Sequence, residues 1–107
     1  MRLAIHEIEY RDTAALSSEI EFAVACDRVE GKDLINIRLK NLNMLSRFNS
    51  AAAKLLRAMK REGVIQLFIF ENEISDTEKM ETVYLLNKFP ELADMEKYGE
   101  GSVIIKL

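Results

Sequence analysis

The segment LINIRLKNLNMLSRFNSAAAKLLRAMKREGVIQLFIF, residues 34–70, decides the fold of this chain. Ile35, Ile37 and Leu39 alternate along Leu34–Lys40, which predicts a strand with one buried face. Leu42, Leu45, Phe48, Ala52, Leu55, Leu56 and Met59 then recur at three- and four-residue spacing, so a helix over about Leu42–Arg61 gathers them on one side. Gly63 ends that pattern. Val64–Phe70 follows as an aliphatic and aromatic strand, and the two strands give the apolar side of the helix a sheet to bury against.

Upstream, Arg2–Tyr10 reads as a strand carrying Leu3, Ile5, Ile8 and Tyr10. Its alternation slips between Ile5 and Ile8, which implies a bulge or a change of exposed face. Glu19–Val29 admits two readings. With period two, Ile20, Phe22, Val24 and Cys26 share a face, and Glu30-Gly31-Lys32 turns the chain into Leu34–Lys40 as a hairpin. Glu21 and Asp27 would then face Arg38 and Lys40 across the pair. As a helix, Asp12 is the N-cap, Leu16, Ile20, Ala23 and Val24 form the stripe, and Gly31 is the stop. That helix leaves Phe22, Cys26 and Val29 on a second apolar face, so the hairpin is the reading adopted.

Downstream, Glu71-Asn72-Glu73-Ile74 is a polar loop. Ser75 or Asp76 can cap a helix carrying Glu78 in its first turn and Met80, Val83, Tyr84 and Leu86 or Asn87 on its inner face. Pro90 closes it and opens a short helix to Tyr98, which Gly99 stops. Ser102–Leu107 is a last, strongly apolar strand. The expected architecture is α/β, with α+β as the alternative: one domain over residues 1–107. Its single mixed sheet has about five strands in the order β-β-β-α-β-α-β, with the helices packed on it. The last three strands pair in parallel through right-handed crossovers, and the first ones extend the sheet as an antiparallel edge.

With 107 residues, 49% apolar and 31% charged, the composition is that of an ordinary globular domain. A net charge of −3 gives no whole-chain argument for nucleic acid or membrane. One cysteine cannot form an internal disulfide, and the first residues lack the basic and apolar regions of a signal peptide. No apolar run approaches the roughly 18 residues of a membrane helix. The expectation is a cytoplasmic protein with no membrane association.

Catalytic groups are sparse. His6 is the lone histidine, and on a strand near Ile8 it reads as an edge or half-buried side chain. Cys26 sits among Ala23, Val24 and Ala25, where an apolar setting keeps a thiol inert. All four glycines fall at expected turns or element ends, so there is no phosphate-binding glycine loop. No cofactor or metal motif is present. Glu71, Glu73, Ser75, Asp76 and Thr77 are the candidate ligand or metal groups, because ligands in parallel sheets bind beyond the carboxyl ends of strands. A solvated loop with a helix cap explains the same residues.

Charge is the uneven feature. Leu34–Arg61 holds seven basic residues and no acidic one, leaving the rest of the chain at −10. Lys54, Arg57 and Arg61 form a stripe, with Arg47 further back and Lys60 beside it. A stripe of this kind tracks phosphates or an acidic protein surface, unless acidic neighbours in the fold neutralise it. It lacks interleaved exposed aromatics, since Phe48 belongs to the core side. An acidic surface around Glu71–Glu81 and the apolar last strand, if it lies at an edge, point to a protein partner or a homodimer.

The element order loosely resembles the sulfate-transporter and anti-sigma-antagonist type of regulatory domain, with its strand-rich start and alternating helices and strands. In that family a serine or threonine opening a helix is phosphorylated. Ser75 and Thr77 lie in a comparable place, but Ile74-Ser75-Asp76-Thr77-Glu78 lacks the Asp-Ser-Ser-Gly-type motif. The resemblance is one of topology, and no activity follows from it. The functional expectation is a non-catalytic protein-interaction or regulatory module. The alternatives are nucleic-acid binding by the helix over 42–61 and a small-ligand site or enzyme at 71–77. Two observations separate them: whether a concavity lies beside Glu71–Thr77, and whether Lys54, Arg57 and Arg61 are free.

Overall fold

The structure, a computed structural model, describes residues 2–73, 80–93 and 99–107. Seven principal elements alternate regularly: β1 (Leu3–Ile8), α1 (Thr13–Val29), β2 (Leu34–Leu39), α2 (Leu45–Arg61), β3 (Leu67–Phe70), α3 (Met80–Lys88) and β4 (Ser102–Lys106). Short 3-10 turns at Leu42–Met44, Glu71–Glu73 and Pro90–Ala93 join or extend them. The protein is thus a mixed α/β fold with a four-stranded sheet among the described residues.

The segment with two readings is a helix. Asp12 caps α1 by accepting a hydrogen bond from the Ala15 N–H at 2.8 Å, and Gly31 takes φ +74° just beyond its end. Leu16, Ile20, Ala23 and Val24 form the buried stripe. Phe22 and Val29 stay 72% and 89% exposed, which is how the second apolar face is accommodated. The strand expected over Glu19–Val29, and its hairpin, are therefore overturned, and with them the fifth strand. The pairing of Glu21 and Asp27 with Arg38 and Lys40 falls too. The strand-rich start on which the family resemblance rests is one strand followed by a helix.

Strand order is β1-β2-β4-β3. β1 pairs in parallel with β2 from Leu3↔Leu34 to Ile8↔Leu39 without a bulge. The slip between Ile5 and Ile8 is a change of face: Ile8 packs with the α1–α2 core, while Ile5 is 50% exposed. β4 runs antiparallel to both β2 and β3 and lies between them. This corrects both expected pairings: the last strands pair antiparallel, and the first strand, expected at an antiparallel edge, pairs in parallel. It also removes the last strand from the sheet edge. The cause is visible in its residues. Val103 and Ile105 point to one side and Ile104 to the other, so both faces of β4 need cover, and a central place supplies it.

The sheet therefore has two cores. Ile35, Ile37, Leu39, Val103 and Ile105 meet the buried stripes of α1 and α2, including Phe48, Ala52, Leu56 and Met59. On the other side Leu34, Leu67, Ile69 and Ile104 meet Leu85 of α3, Phe89 and Leu92. Leu42, expected on the helix's inner side, lies in the preceding 3-10 turn and is exposed. Among the described residues no helix is long and apolar enough to cross a membrane.

Candidate nucleic-acid interface

The strand before Glu71, β3, is an antiparallel outer strand and not a parallel one, which removes the sheet-end argument for a ligand there. Glu71 is buried, and its carboxyl group accepts a hydrogen bond from the Ser102 hydroxyl. The same hydroxyl accepts from Asn36 Nδ2 at 2.8 Å, Asn36 also donates to the Val103 carbonyl at 3.1 Å, and Arg38 Nε donates to Asn36 Oδ1 at 2.5 Å. This polar chain ties the exit of β3 to β2 and β4. Glu71 serves the sheet. The Glu73 side chain and Ser75, Asp76 and Thr77 lie outside the described residues.

His6 sits on the outer strand β1, as its neighbours imply, with Nε2 2.6 Å from Oδ2 of the buried Asp27. The pair fastens α1 to the sheet edge. A hollow of about 400 Å3 beside it is lined by His6, Glu19, Phe22 and Cys26. Cys26 is half-buried there and forms no disulfide. Among the described residues no cluster of histidine, cysteine and carboxylate groups could hold a metal ion.

The cations of α2 are arranged differently. Arg47, Lys54, Arg57, Lys60 and Arg61 are all exposed, opposite the stripe that α2 buries. Arg47, Lys54 and Arg61 are seven residues apart, so they fall on one line along the helix. Arg57 and Lys60 turn toward β3. Lys60 Nζ reaches Glu81 Oε1 at 3.6 Å, an exposed pair of little energetic weight. Arg47, Lys54, Arg57 and Arg61 have no acidic partner among the described residues.

Beside the second half of α2 the surface is concave. An open groove of about 710 Å3 has Arg57, Lys60 and Arg61 along one wall, Phe68 and Phe70 on β3 along the other, and Glu81 of α3 at its rim. The two rings are 6.3 Å apart and at 83° to each other. Sequence reasoning missed these rings, because Phe68 and Phe70 read as part of the apolar strand that the helix buries against. Among the described residues, what leaves them half-buried is the outer position of β3, which follows from where β4 inserts. No protein-family model, curated protein or solved structure matches this chain.

Proposed function

We propose that this chain is a non-catalytic binding module whose ligand is a nucleic acid, held by its phosphates on the outer face of α2. The observation that carries the reading is the row Arg47–Lys54–Arg61, exposed and without acidic partners among the described residues. At 1.5 Å per residue the row is about 21 Å long, equal to the axial rise of roughly six base pairs of a duplex. A regular row of that length suits a polyanion better than the isolated carboxylates of a folded protein surface. The buried Glu71, tied to Ser102, supports a binding role over a reaction at this end of the sheet.

The test is titration of fluorescently labelled mixed-sequence 20-mers at several salt concentrations. Affinity is expected to fall linearly on a log–log plot, and Arg47→Ala/Lys54→Ala/Arg61→Ala to flatten the slope by about 2. Alanine at exposed helical sites keeps α2 intact, so the variant reports on charge. Absence of binding, salt-insensitive binding, or preference for polyglutamate over oligonucleotide would each overturn the reading, the last in favour of an acidic protein partner.

A further inference from the structure

The groove contains what a phosphate track does not require. Phosphates are satisfied by cations on an exposed helix, yet here cations face two phenylalanine rings across an open hollow of about 710 Å3. Positions on the same face of the inner strands, Ile35, Ile37, Val103 and Ile105, are 1% exposed or less. Phe68 and Phe70 occupy the equivalent places on β3 and remain half-buried, with one side of each toward the groove. Because the rings stand at 83°, a flat group lying parallel to one meets the other edge-on, an arrangement aromatic groups favour.

We infer that the groove between α2 and β3 takes an unpaired base of a single-stranded nucleic acid, stacked on Phe68 or Phe70, with the flanking phosphates on Arg57 and Arg61. The inference rests on the reading that α2 holds phosphates, and it adds which form of nucleic acid is bound. Stacking requires a base with a free face, which a duplex does not offer. An apolar wall set against a cationic one is the pairing that single strands use. Glu81, paired with Lys60 across the groove, offers a carboxylate acceptor to the N–H groups of a base edge, which a peptide carboxylate lacks.

The experiment compares a single-stranded 12-mer with a blunt hairpin of the same composition, for the wild type, Phe68→Leu, Phe70→Leu and Phe70→Trp. Leucine keeps the apolar contact with α2 while removing the ring, and thermal melts check that each variant is folded. The wild type is expected to prefer the single strand by about tenfold or more. Each leucine variant should lose about fivefold or more of that affinity with its salt slope unchanged. Since the chain has no tryptophan, Phe70→Trp introduces a lone indole reporter, whose fluorescence should be quenched by the single strand and not by the hairpin. Equal affinity for the two oligonucleotides, with a steep salt slope retained, would overturn the inference and leave the phosphate reading standing. Saturating single strand without quenching would do the same. Loss of all nucleic-acid binding would overturn both.

Discussion

At Glu71 a residue chosen for chemistry turns out to belong to the sheet. Its carboxyl group, the Ser102 hydroxyl and the Asn36 amide form a buried chain across three segments that are distant in sequence. Ser102→Ala removes the hydroxyl that joins Glu71 to Asn36. The expected loss is about 1–3 kcal/mol, read as a lower urea midpoint with an unchanged m-value, and nucleic-acid affinity should not move. One position earlier, Gly101 has φ +79°, and a Cβ there would lie 3.1 Å from Leu42 Cδ2 and 3.2 Å from Leu39 Cβ. The exposed Leu42 can give way, but Leu39 in β2 cannot. Gly101→Ala is therefore expected to lose more than about 1 kcal/mol in the same assay. Neither role is visible in local spacing. Glu71 reads as a loop acid because its partners lie 31 and 35 positions away.

At the level of elements, α2 shows how much periodicity can carry. Phe48, Ala52, Leu56 and Met59 are its buried residues, and all belong to the stripe read from sequence. For α1 the same logic was ambiguous, since Ile20, Phe22 and Val24 satisfy period two as well as Leu16, Ile20 and Val24 satisfy the helix. Local and long-range terms together broke the tie: Asp12 caps, Gly31 stops, and the sheet buries one stripe and leaves Phe22 outside. The helix predicts unequal variants. Ile20→Ala should cost about 2–5 kcal/mol and Phe22→Ala less than about 0.5 kcal/mol. Equal losses in denaturant melts would point back to a strand with both residues on one buried face. The place of β4 was hinted at by Val103-Ile104-Ile105, apolar to both sides, but antiparallel insertion between β2 and β3 is a property of the whole sheet.

Across the whole molecule, charge and topology act together. The basic run of residues 34–61 was legible from composition; that four of its cations on α2 lack acidic partners among the described residues required the fold. The aromatic wall could not be read from sequence, because it exists only since β3 is an outer strand beside α2. The stacked base inferred above depends on that juxtaposition, whereas phosphate binding depends on the row Arg47–Lys54–Arg61. The most direct measurement is an amide NMR titration of the protein with a short single-stranded oligonucleotide. Chemical-shift changes are expected to concentrate on the outer face of α2 around Arg47, Lys54, Arg57 and Arg61 and on β3 at Phe68 and Phe70, and to fade as salt is raised. Changes confined to β1 and α1, or none at saturating oligonucleotide, would contradict it.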